Sequence, residues 1–123
     1  MKTYVDVIKE TIKYYSDDPE NKRSLKINSG MSSCLYNGPD GKQCAFSRCA
    51  KSIPDHYDKL GKFASEVLKK EGINILKEEY RHLNNFGFWN ELQHLHDDCN
   101  NWIDNGLSEV GKSHANSLIE KYK

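Results

Sequence analysis

The stretch Met31-Ser32-Ser33-Cys34-Leu35-Tyr36-Asn37-Gly38-Pro39-Asp40-Gly41-Lys42-Gln43-Cys44-Ala45-Phe46 decides the fold class. Two short arms with alternating apolar side chains, 31–36 and 42–46, flank a pentapeptide of turn formers, which predicts a β-hairpin closed over 37–41. Cys34 and Cys44 stand at similar distances from the middle of that turn, so this register places them nearly opposite one another on one face. Outward from the hairpin the pattern is helical. Thr3 followed by Asp6 marks a helix start, and Val5, Ile8, Ile12 and Tyr15 recur at three and four residues over 3–16. Ser16-Asp17-Asp18-Pro19 ends that helix, and 17–24 reads as a polar connection. After Pro54, Leu60, Phe63, Val67 and Leu68 form an apolar stripe ended by Gly72; Leu76, Tyr80 and Leu83 form another ended near Gly87. Trp89, Leu92, Leu95, His96, Cys99, Trp102 and Ile103 predict a stronger helix, broken at Asn105-Gly106. Leu107, Val110, His114, Leu118 and Tyr122 predict the last one. The expected fold is α+β, a single domain over 1–123 with one β-hairpin or small antiparallel sheet packed against about five α-helices.

Composition bounds the partners. The 123 residues carry 18 Lys+Arg against 18 Asp+Glu, so no net field draws the chain to DNA, RNA or anionic lipid, and nucleic acid is not the expected partner. A mean hydropathy of −0.83 with 29% charged residues describes a polar-surfaced globule. No apolar run approaches the ~20 residues needed to span a bilayer, and the first fifteen residues lack the apolar segment of a secretory signal. The expectation is a protein of the cytoplasm where it is made, with no membrane partner. In that compartment the four cysteines, Cys34, Cys44, Cys49 and Cys99, are expected as thiols or metal-bound thiolates rather than disulfides.

Three constellations carry chemistry on paper. His94, His96, Asp97 and Asp98 are the densest titratable cluster and suit a metal-dependent hydrolase, but no second motif supplies the remaining ligands. Cys44, Cys49, His96 and Cys99 supply four donors for a zinc-stabilised structural module, at spacings unlike the common zinc knuckles. The bland reading of both is a packed core with a hydrogen-bonded histidine, so no metal and no cofactor is expected. No nucleophile elbow, phosphate-cradling glycine loop or dinucleotide fingerprint occurs. The third constellation is aromatic and basic: Phe86-Gly87-Phe88-Trp89 is a dense run. Together with Tyr36, Asp40, Lys42 and Arg48 it suggests an exposed binding surface at a hairpin tip and an interhelical turn. On that reading Lys42 and Arg48 pair with phosphate and Phe88 or Trp89 stacks on a base, or the same aromatics anchor a protein.

Two segments resemble one family. Cys34-Leu35-Tyr36-Asn37-Gly38-Pro39-Asp40-Gly41-Lys42-Gln43-Cys44-Ala45 resembles a family of small uncharacterised phage and bacterial proteins with a pattern close to C-x-Y-x-x-x-D-G-x-x-C-A. Leu92-Gln93-His94-Leu95-His96-Asp97, with Trp102 soon after, is similar to that family's L-Q-x-I-H-D signature. Ile53-Pro54-Asp55 is similar to its I-P-D segment. The resemblance covers 34–115 and departs from the family at Phe46-Ser47, where Val-Gly is common. It implies a shared core motif of Cys34, Cys44, His96, Asp97 and Trp102 and a phage origin, and it supplies no mechanism.

The resulting expectation is a small phage accessory protein that acts by binding rather than catalysis. It would be a host-takeover or anti-defence factor that blocks a host protein or sequesters a signalling nucleotide, with a homo-oligomer allowed. The expected binding residues are Tyr36, Lys42, Arg48, Phe88 and Trp89. The metal-dependent hydrolase and the zinc module are the alternatives.

Overall fold

A computed structural model describes residues 2–28, 31–38, 41–60 and 62–123, with the side chains of 20, 21, 25–28 and 31–34 left aside. In chain order the elements are α1 (Tyr4–Ser16), α2 (Pro19–Lys22), β1 (Leu25–Asn28), β2 (Met31–Cys34), α3 (Ala45–Arg48), α4 (His56–Leu60), α5 (Ala64–Glu71), α6 (Phe86–Asp97), β3 (Trp102–Ile103), β4 (Gly106–Leu107) and α7 (Glu109–Tyr122). The fold is α+β, with two two-stranded antiparallel sheets among helices. α1 packs on α7 and β4, while α6 packs on α3, α5 and β2.

The Thr3 start is realised as a capping box: Thr3 Oγ1 accepts the Asp6 N–H and Asp6 accepts the Thr3 N–H. The buried face of α1 is Val7, Ile8, Thr11 and Tyr15. Thr11 sits in the core in place of Ile12 because its hydroxyl donates to the Val7 carbonyl.

The predicted hairpin is displaced. The ladder pairs Leu25 with Cys34 and Asn28 with Met31, so β2 finds its partner in residues 25–28 and not in 42–46. The Gly38 N–H donates to the Lys42 carbonyl at 2.9 Å. The arms beyond cannot pair, because Asp58 takes the N–H groups of both Tyr36 and Asn37, and the Asn37 amide donates to the Ile53 carbonyl and Asp55. The second arm instead enters α3, where the Cys44 N–H donates to Ser47 Oγ at 2.9 Å. Cys34 and Cys44 are therefore not cross-strand neighbours; Cys44 is buried, and the Cys34 side chain lies outside the described residues.

Two predicted helices break. The stripe through Leu60 and Phe63 splits into α4 and α5, leaving Leu60 and Phe63 outside the core at the junction. The stretch around Leu76 and Tyr80 forms only 3-10 turns at Ile73–Ile75 and Glu78–Tyr80. Ties to the α3 end hold it there, with the Lys51 N–H donating to the Ile75 carbonyl and the Lys77 N–H to the Cys49 carbonyl.

The helix carrying His96 stops at Asp97. Asp98 accepts the Asn100 N–H, and the Leu95 carbonyl receives both the Asn101 amide at 3.1 Å and the Trp102 indole N–H at 3.0 Å. Side chains here take over the acceptor that another helical turn would use. The chain then reverses through β3 and β4 into α7, whose N-cap Ser108 accepts the Gly111 N–H. A Cβ at Gly111 would lie 2.0 Å from the Asn101 carbonyl oxygen, so only glycine lets α7 start against that turn.

Candidate functional site

The aromatic run at 86–89 is the middle of the core, not a surface. Asn85 caps α6 through the Phe88 N–H, which rotates Phe88 and Trp89 inward; both are fully buried. The Trp89 indole donates to the Leu83 carbonyl at 2.9 Å, and its ring lies against Phe46, Tyr80 and Phe88. Phe88 in turn packs on Tyr4 and Tyr122. Tyr36 is buried too, its ring against Phe46 and its hydroxyl on the Lys62 carbonyl. Three of the five expected binding residues therefore build the interior, because large aromatic surface is worth more inside than on a rim. Lys42 is half-buried, its carbonyl accepting the Gly38 N–H; Asp40 lies outside the described residues.

Arg48, the fifth, is committed within the fold. Its guanidinium donates to Glu10 Oε1 at 3.0 Å and lies over the Tyr14 ring, 5.3 Å from the centroid. Glu10 also accepts from Lys2 and from the Tyr80 hydroxyl. Burial opposes the charge on Glu10, yet those donors win and hold its carboxyl below the usual range. Cys49, buried alongside, has its thiol pushed up to about 12 by desolvation, so it is a neutral packing group.

The second polar centre lies under the β1–β2 hairpin. His96 is fully buried, with Nε2 accepting the Ser24 N–H at 3.3 Å, Nδ1 2.7 Å from Asp97 Oδ1, and its ring against Tyr15. Since Nε2 must accept, the proton sits on Nδ1 and is donated to Asp97, so this site selects the neutral ring. Burial lowers the His96 pKa although Asp97 pulls the other way. Gln93 extends the network, donating to Asp97 and accepting the Phe46 N–H at 2.9 Å, which ties α6 to α3. Cys44 and His96 are both fully buried in the core; the expected place of Cys34 beside them lies outside the described residues.

The hydrolase cluster does not assemble. His94 faces outward, 5.4 Å from the His114 ring, whereas His96 faces the core, and Asp98 caps the Cys99–Asn101 turn. Among the described residues, no three His, Cys, Asp or Glu side chains gather to hold a metal ion, so the Cys44, Cys49, His96 and Cys99 constellation is not formed either. Cys99 leaves the helix with the chain reversal and is exposed.

Sequence reasoning missed two features. Arg23 and Ser24 looked like polar connection and are buried against α6 and β3. Leu60 and Phe63 looked like a core stripe and are the exposed apolar side chains of one corner, 62% and 68% accessible. Gly61 between them was the available signal, since glycine weakens the helix that the stripe required. At that corner the carboxylates are turned to internal bonds: Asp58 to the Tyr36 and Asn37 N–H groups, Glu66 to the Phe63 N–H and Lys62, Glu71 to the Tyr57 hydroxyl. Lys59, Lys69 and Lys70 are exposed with no ion-pair partner among the described residues.

No helix among the described residues is long and apolar enough to cross a membrane. No protein-family model, curated protein or solved structure matches the chain.

Proposed function

We propose that the protein works by binding another protein at the α4–α5 corner, as a small phage-type accessory factor that blocks a host or defence protein. The exposure of Leu60 and Phe63 three residues apart carries this reading, because interface anchors are large apolar side chains surrounded by polar groups. Amines at Lys59, Lys69 and Lys70 give that corner outward positive charge, so the fitting partner offers an apolar pocket with a carboxylate rim. The phage-type assignment rests on the resemblance of segments 34–45 and 92–102. Nucleotide sequestration loses support, since its stacking residues Phe88 and Trp89 are core and Arg48 is held by Glu10.

A photo-crosslinking amino acid in place of Phe63, irradiated in bacterial lysate, tests this. A single protein captured through that position, lost when Leu60→Glu is added and weakened at high salt, is the expected result. Capture that survives Leu60→Glu, or none at all, overturns it. So does partition of the protein onto anionic phospholipid vesicles that Leu60→Glu abolishes, since the corner would then be a membrane contact.

A further inference from the structure

Arg23 is the buried cation that the fold leaves least provided for. It is 8% exposed, its Nε has no hydrogen-bond partner, and no carboxylate pairs with it among the described residues. Its guanidinium lies over the Trp102 ring at 5.8 Å, and Nη2 points at Cys99 Sγ, 3.5 Å away. Arg48 shows the alternative: it too has a buried, unpartnered Nε, but its terminal nitrogen reaches a carboxylate. Buried charge is costly unless an opposite charge meets it. For Arg23 the atom in that position is a sulfur, and the residue carrying it is exposed.

We propose that Cys99 is a reactive modification site, its thiolate held by Arg23 and open to low-molecular-weight disulfides and soft electrophiles. The nearby acids do not oppose this directly: Asp97 is turned to the His96 ring, and Asp98 accepts the Asn100 N–H. In the disulfide reaction the Cys99 sulfur attacks one sulfur of RS–SR, a Cys99–S–SR bond forms as the RS–SR bond breaks, and the departing RS⁻ takes up a proton. The incoming disulfide is the oxidant, and no other co-reactant is required. Cys44 and Cys49 are internal controls, since both are fully buried.

The full-length protein is labelled with limiting iodoacetamide at pH 7, and each cysteine is quantified by peptide mass spectrometry against a free cysteine peptide. Cys99 is expected to react first, about threefold faster than the peptide, because the neighbouring guanidinium enlarges the thiolate share while the paired sulfur is a somewhat weaker nucleophile. Arg23→Gln is expected to return it to the peptide's rate, and Arg23→Lys to keep part of the gain. The same series with an anionic aromatic disulfide separates sulfur activation from steering. If Arg23→Gln slows only the anionic reagent, Arg23 merely attracts it, and the proposal falls. Where Arg23→Gln does not fold, the wild type decides alone: Cys99 labelling no faster than the peptide, or later than Cys34, overturns the assignment.

Discussion

Phe88 and Trp89 on one side, and Leu60 and Phe63 on the other, exchange the places that their sequence patterns suggest. The first pair lies in a run dense enough to suggest a binding surface yet is wholly buried; the second lies in a regular stripe yet stands in solvent. The difference is where the helix begins. Asn85 starts α6 just before the aromatic run and turns it to the interior, whereas the stripe at 60–68 is cut into α4 and α5, so its front half never shares a face with Val67 and Leu68. Periodicity speaks only within one continuous helix, and caps decide where a helix is continuous.

Truncation breaks this comparison most directly. Trp89→Ala is expected to cost about 3–5 kcal/mol in chemical denaturation, since it empties the centre of the core and leaves the Leu83 carbonyl without its donor. A loss below about 1 kcal/mol would show that the ring is not the core's centre. Gly111→Ala is expected to cost about 1–3 kcal/mol, towards the upper end because the added methyl meets backbone and not a flexible side chain. A neutral result would mean that α7 does not seat on the Cys99–Asn101 turn.

His96 sharpens the contrast, since it is buried on the same helix as Trp89 but titrates. His96→Ala is expected to cost about 1–3 kcal/mol by leaving the Ser24 N–H without its acceptor and taking one donor from Asp97. Its folded pKa is below the ordinary value, so the unfolded chain binds the proton more readily. The stabilisation is complete above about pH 6.5 and is lost as pH falls from there towards the folded pKa. A denaturation series between pH 8 and 5 should show that slope in the wild type and a flatter one in His96→Gln; equal slopes would remove His96 from the pH dependence. The smallest effect belongs to the corner: Leu60→Ser and Phe63→Ser are each expected to change stability by less than about 0.5 kcal/mol. A larger loss in either would place that side chain in the core after all.

The fold class was legible in the residues: the helix start at Thr3, the last helix and the buried His96 follow from caps, turn formers and periodicity, whereas the helix through His96, read as running to Asn105-Gly106, already stops at Asp97. The strand partner was not. Asn28-Ser29-Gly30 offers turn formers, but on paper the longer turn segment at 37–41 outweighs them, and it is Asp58, a long-range acceptor that no local pattern announces, that takes the Tyr36 and Asn37 N–H groups. The exposed corner was hidden for a similar reason, because an apolar stripe and an unpartnered apolar surface use the same residues. Arg23 was hidden because a lone arginine in a polar stretch has no periodicity at all.

The ring of Tyr4 lies 5.3 Å from that of Tyr122, with Phe88 touching both, so residues 118 positions apart share one packing site. Such a contact closes a very long loop, and its entropy must be met before the contact returns anything. During synthesis α1 emerges before α7, on whose surface it rests. Until α7 follows, its Val7, Ile8 and Tyr15 face lacks that cover, and the nascent chain carries an amphipathic helix in waiting.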